Sequence, residues 1–204
     1  MQIAQTVNAA LRSVPTWPLY LVALIPPIWL FYAGVTGGLG VDPVKAMEHE
    51  MGELGLQVLI IGILVSPLRK FTGISLLKFR RAIGLIGFFY IACHLAVWLF
   101  LDVQIWSQIW ADILKRPYIT IGMAGFVLMI PLAITSNNKS IRLLGGTWRK
   151  LHKLVYPAVI LGGVHYVMLV KGWQVEPLVY LAIILGLLAT RIKIPTPRRK
   201  DSPV

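Results

Sequence analysis

Six apolar stretches, at residues 17–35, 51–67, 82–101, 118–135, 151–170 and 173–190, constrain this chain more than any other feature. Each approaches the ~20 residues that an α-helix needs to cross a ~30 Å hydrocarbon core. Backbone N–H and C=O groups facing lipid must be satisfied within the segment, so runs of this kind have to be helices. The expectation is an all-α membrane protein: a single domain over 1–204, folded as a bundle of six transmembrane helices. The hydrophobic fraction, 57%, agrees, since soluble domains hold about 45–50%. The start of the second run is ambiguous, because Asp42, Glu48, Glu50 and Glu53 must stay near water. Only Arg12 precedes the first run and no small-residue cleavage site follows it, which favours a retained helix over a signal peptide.

Charge orients the bundle. Lys and Arg are retained on the cytoplasmic side during insertion. The first, third, fifth and last polar stretches hold fifteen of them, among them Arg69, Arg80, Arg81, Arg142, Arg149 and Arg198, against one acid, Asp201. The alternate stretches hold Lys45, Lys115, Arg116 and Lys171 against seven acids. Both termini are therefore expected in the cytoplasm. The net charge of +12 belongs beside anionic lipid headgroups and is no sign of a nucleic-acid partner. No internal repeat of the kind that marks a transporter's two halves is evident in the sequence.

The histidines carry the chemistry. Of His49, His94, His152 and His165, the last three fall in or at the ends of apolar runs, where an ionisable group is costly and a functional role is the default. His94 lies 14 residues beyond Arg80 and His165 16 beyond Arg149, so both sit about 21–24 Å from the inner face. Two neutral imidazoles at one height on neighbouring helices suit the axial positions of haem iron, whereas a single buried histidine is more often a packing residue. The single cysteine, Cys93, and the lack of C-x-x-C-H exclude covalent attachment, so a haem would be of the b type. His152 starts the fifth run, 13 residues before His165, about 140° from it around an ideal helix. Pro157 and Gly162-Gly163 lie between them, where a proline kink or a locally widened turn could rotate one towards the other's side. Near the inner end of the third run stand Arg80 and Arg81, which cannot ligate iron but suit a haem propionate or a flavin phosphate. His49 reads as solvated or facing a partner. There is no G-x-G-x-x-G and no Walker motif, so electrons are expected to come from elsewhere.

Several stretches together resemble a known family. These are Gly38-Leu-Gly-Val-Asp-Pro-Val-Lys45 with Glu48-His49, and Arg80-Arg81 with His94. Others are Arg116-Pro-Tyr-Ile-Thr-Ile-Gly122, Leu144-Gly145, and Trp148-Arg-Lys-Leu-His152 with His165. Over nearly its whole length the chain is similar to the MsrQ family, within the ferric-reductase-like transmembrane superfamily. That resemblance implies a bacterial inner-membrane subunit that passes electrons through haem b, with FMN also associated. The donor would be the quinone pool or a cytoplasmic flavin reductase, and the acceptor a periplasmic molybdopterin reductase that repairs oxidised methionines. The wider superfamily carries two histidine pairs. Here Arg80-Arg81 stand where one further histidine would be, which favours flavin at the inner site, shaped by His152, Arg80 and Arg81.

Other readings are a stand-alone ferric reductase, which would normally append flavin and nicotinamide domains, and a proton or solute transporter relaying through the histidines. The second needs buried acids along a path, and no Asp or Glu is expected in the core of any helix. A plain structural anchor is the remaining alternative.

Overall fold

The computed structural model describes residues 2–170, 172 and 174–192, all helix and connection, with no strand among them. Lys171, Trp173 and the basic stretch from Lys193 to Lys200 lie outside the described residues.

The first apolar run forms α2 (Trp17–Val22) and α3 (Ile25–Val35). Pro26 and Pro27 lack the N–H groups that would continue the helical ladder, so the run breaks just before them. The second run becomes α4 (Pro43–Thr72), capped by Asp42, whose carboxylate accepts from the Lys45 N–H at 3.1 Å. It ends at Gly73 in the left-handed region, φ 76°. At 30 residues it is about 45 Å long, half as long again as the hydrocarbon core is thick. The expected bounds of 51–67 are corrected at both ends. The added N-terminal turns are where Glu48 and Glu50 sit. Glu53, expected to stay near water, lies within α4 and is half-buried. Its Oε1 accepts from Gln57 Nε2 (2.8 Å) and from Tyr180 OH (2.9 Å).

Pro67 lies inside α4 and cannot donate to the Ile63 carbonyl. Arg191, from the far end of the chain, donates to that oxygen instead and also to Tyr156 OH at 2.8 Å, with its guanidinium over the Tyr156 ring. A defect in one helix thus ties three elements together.

The third run is α5 (Arg80–Val97), which continues as a π-helical turn over Trp98–Val103. The fourth is α7 (Pro117–Ile134), started by Pro117 at its first position. The fifth run is not one helix. After α8 (Asn138–Leu144), it divides into α9 (Gly146–Leu151), a 3₁₀ turn at His152–Leu154 and α10 (Val155–Leu169). The last is α11 (Val175–Ala189). Two further helices occupy what read as polar connections: α1 (Gln2–Ser13) and α6 (Trp106–Lys115). Helix α1 is clasped to the α4–α5 connection. The Asn8 amide donates to the Gly73 carbonyl (2.9 Å) and accepts from the Ser75 N–H (2.8 Å).

Among the described residues, four segments are long and apolar enough to cross a membrane: Trp17–Val35, Pro43–Thr72, Leu77–Val103 and Pro117–Ile134. Helices α10 and α11, at 15 residues each, are shorter. The main core joins Leu56, Leu59 and Ile63 of α4 with Met129 of α7, Val159 of α10 and Ile184 of α11. Helix α4 packs chiefly on α5, and α7 on α10. These two pairs frame the site.

Candidate functional site: a facing histidine pair

His94 comes from α5 and His165 from α10, and their ring centroids lie 6.1 Å apart at an interplanar angle of 76°. The equal heights expected from residue counting are realised as direct opposition. Each ring is held from behind in the same way. His94 Nδ1–H donates to the Glu48 carbonyl of α4 (2.9 Å), and His165 Nδ1–H to the Tyr118 carbonyl of α7 (2.7 Å). A carbonyl only accepts, so Nδ1 carries the proton in both rings and each Nε2 keeps its lone pair. Fixing one ring nitrogen by a backbone carbonyl is how metal-binding imidazoles are oriented.

Glycine makes both contacts possible. A Cβ on Gly52 would lie 3.0 Å from His94 Nδ1, and one on Gly122 would lie 2.8 Å from His165 Nδ1. Each of these glycines follows by four residues the carbonyl that holds the ring, and each opens a Gly-x-x-Gly pair, Gly52/Gly55 and Gly122/Gly125. A Cβ at Gly55 would meet Ile91 Cδ1 at 2.5 Å, and one at Gly125 the Ala158 carbonyl at 3.4 Å, so small residues let the helices close up. The chain separations between ring and carbonyl, 46 and 47 residues, are nearly the same. The bundle therefore contains one arrangement twice, a repeat that the sequence reading did not find because it consists of two glycines, one carbonyl and one histidine.

Between the four helices lies a cavity. Its inner part is apolar, lined by Leu56, Leu59, Ile91, Phe126, Met129 and Ala158. Its other end is lined by Lys45, Glu48, His49, Asp102, Arg116 and Tyr118. Phe126 stacks on Phe88 (5.5 Å, 8°) at the apolar end. Among the described residues no cluster of three His, Cys, Asp or Glu forms, so a bare metal ion finds no cage. Two imidazoles instead suit a metal that brings its own equatorial ligands. Imidazole nitrogen binds such metals at about 2.0–2.1 Å and its ring centre lies about 1.1 Å behind, so axial pairs have centroids about 6.3 Å apart. The observed 6.1 Å fits.

His152, Arg80 and Arg81 do not line this cavity. His152 sits in the 3₁₀ turn before α10, and its Nε2 lies 3.0 Å from Thr135 Oγ1. That hydroxyl donates to the Pro131 carbonyl (2.6 Å), so it accepts from His152 Nε2–H, and Nδ1 keeps the lone pair. Trp148 stacks on the ring at 3.8 Å and donates through Nε1 to the Thr135 carbonyl (2.9 Å). Arg80 and Arg81 are exposed at the start of α5, with Arg80 close enough for its charge to act on His152. Between His152 and His165 the backbone changes from the 3₁₀ turn at His152–Leu154 to the α-helix of α10, which contains Pro157 and Gly162-Gly163. His49 is exposed yet lines the polar end of the cavity.

Residues 51–163 match the family described as ferric reductase like transmembrane component, a span that includes Gly52, His94, Gly122 and His152 and stops two residues before His165. A protein of Brucella anthropi named protein-methionine-sulfoxide reductase heme-binding subunit MsrQ is 47% identical over 185 residues. That match covers 90% of this chain and 84% of that protein. Proteins of the same name from Brucella ovis and Brucella suis are 49% identical over 180 residues, covering 88% of this chain and 82% of theirs. The chain belongs to the MsrQ family. Its apolar helices and the transmembrane family it matches make this MsrQ relative a multi-pass membrane protein. No solved structure matches it.

Proposed function

We propose that this chain is the haem-binding, electron-transferring subunit of a methionine sulfoxide reductase, holding one haem b between His94 and His165. The observation that carries the reading is a pair of imidazoles whose centroids lie 6.1 Å apart, each with Nδ1 tied to a backbone carbonyl so that Nε2 keeps its lone pair. The relatives named as haem-binding subunits support it. Bound there, haem would supply a one-electron iron couple at membrane depth. The residues supply the rest. His94 and His165 fix the ligand field, the carbonyls of Glu48 and Tyr118 raise the basicity of the rings, and the apolar wall of Leu59, Phe126 and Met129 excludes water.

The chain works as a single domain of six spans in the bacterial inner membrane, with both termini cytoplasmic, as the charge distribution of its connections supports. At the inner end, where Trp148 stacks on His152, the Arg80 and Arg81 guanidinia would hold the phosphate of an FMN, which would supply flavin redox chemistry there. Electrons enter there from quinol or a cytoplasmic flavin reductase and leave at the polar end of the cavity. The receiver is a periplasmic molybdopterin catalytic subunit docked on residues 36–53 and 102–117.

The test is the reduced-minus-oxidised absorption spectrum of the purified chain, with haem and flavin quantified, for wild type and for His94→Ala, His165→Ala and His152→Ala. The expected result is a b-type spectrum lost in the first two variants with flavin retained, and flavin lost in the third. A wild-type chain without stoichiometric haem ends the proposal.

A further inference from the structure

The cavity between His94 and His165 is not uniform, and its asymmetry says how an amphipathic occupant lies in it. Its inner wall is hydrocarbon and aromatic. Its other end carries two cations, Lys45 and Arg116, among the carboxyl groups of Glu48 and Asp102 and the ring of His49. Haem b is apolar over most of its edge and carries two carboxylates on one side.

The two cations stand in matching places. Lys45 precedes by three residues the Glu48 carbonyl that holds His94, and Arg116 precedes by two the Tyr118 carbonyl that holds His165. One cation thus flanks each half of the repeated arrangement. Both side chains are about half exposed, at 54% and 52%, so this end of the cavity reaches the surface. Lys45 Nζ pairs with Asp102 at 3.2 Å and Arg116 Nε with Asp112 at 3.2 Å. Exposed pairs of this kind contribute little to folding and leave donors free. Arg116 is the better anchored of the two, since Nη1 also donates to Tyr118 OH at 3.4 Å, and that ring lies 6.0 Å from His165.

We infer that Lys45 and Arg116 receive the two haem propionates, so that the haem stands with its carboxylates toward the surface end of the cavity and its vinyl edge toward Phe126 and Met129. The inference rests on the haem reading above and adds an orientation to it. It displaces the expectation that Arg80 and Arg81 hold a propionate of this haem, because neither lines the cavity. It also places the carboxylate edge, through which an electron can leave, at the surface.

The experiment compares haem b with its dimethyl ester, which has the same iron, ring and volume but no carboxylate charge. Full-length chain is purified haem-free, reconstituted in lipid nanodiscs and titrated with each. The unaltered chain is expected to prefer haem b by about tenfold or more, a charge-assisted hydrogen bond being good for about that much. In Lys45→Gln with Arg116→Gln the preference falls to near one, while the ester binds as it does to wild type. The retained ester affinity shows that the variant is folded. The midpoint potential of bound haem b should also move more negative, since two positive charges near the iron disfavour its oxidised form. Equal binding of haem and ester by the unaltered chain overturns the inference while leaving the haem site standing. Loss of the preference in Arg80→Gln with Arg81→Gln, and not in the Lys45 and Arg116 variant, overturns it as well. A chain that binds neither ligand refutes the haem reading itself.

Discussion

Adding one methyl group at Gly122 puts the account of the histidine pair at risk. A Cβ there lies 2.8 Å from His165 Nδ1, and ordinary contact begins near 3.4 Å, so the ring must retreat by about 0.6 Å. Its tether to the Tyr118 carbonyl is 2.7 Å long and stretches to about 3.3 Å, past the range of a good hydrogen bond. A ring pushed off its tether no longer keeps the 6.1 Å centroid relation to His94 that two imidazoles sharing one metal need. Overpacking of this sort costs about 1–3 kcal/mol, which is about 5–150-fold in haem affinity if it falls on the liganded state. Gly52→Ala should do less, since its Cβ would stand 3.0 Å from His94 Nδ1 and ask for a shift of about 0.4 Å. Gly84→Ala is the control, with nothing within 4 Å of the added carbon, and should be neutral or stabilise α5 by about 0.5–1 kcal/mol. The assay is haem titration of the haem-free chain, read with the spin state of bound iron, because a displaced ligand leaves five-coordinate, high-spin haem. If Gly122→Ala binds haem as tightly as Gly84→Ala and stays low-spin, the glycines are not what seats the rings.

Three further outcomes follow from the packing. Arg191→Met leaves the Ile63 carbonyl, already deprived of a partner by Pro67, with no donor; thermal unfolding in detergent should show a loss of about 1–3 kcal/mol. Restoring the ladder with Pro67→Ala should recover part of it. Tyr180→Phe removes the hydroxyl that donates to Glu53 and accepts from Gln57, and should cost about 1–3 kcal/mol in the same assay; an unchanged melting curve would mean that water replaces it. Reporter domains fused to either terminus should be active only in forms that work in the cytoplasm, and a periplasmic signal from either fusion refutes the orientation drawn from the basic connections.

Much of the layout was legible in the residues alone, for a physical reason. Hydropathy and helix rise act along one dimension, so the apolar runs give the spans and counting from Arg80 and Arg149 gives the matching heights of His94 and His165. Position around a helix and choice of neighbour are not one-dimensional, and there the reading fell short. The second run reads as 51–67 with an ambiguous start, because its acids must stay near water, whereas α4 outruns the hydrocarbon core and carries Glu48, Glu50 and Glu53 in its N-terminal turns. Helices α1 and α6, whose alternation of polar and apolar faces is too short to span anything, were passed over. Beside His152, read from its depth together with Arg80 and Arg81, the fold sets Trp148, stacked on the ring, and Thr135, a partner 17 residues away that only the α7–α10 pairing brings near. Gly52 and Gly122 look like two of eighteen glycines until the facing helix puts an imidazole against each. What the sequence determined by itself is that the chain is helical with segments apolar enough to cross a membrane, and that His94 and His165 stand at one level along their helices. Which nitrogen each ring presents, and to what, was decided by the approach of α4 to α5 and of α7 to α10, because a backbone carbonyl 46 or 47 residues away acts on a histidine only when packing brings the two within a hydrogen bond.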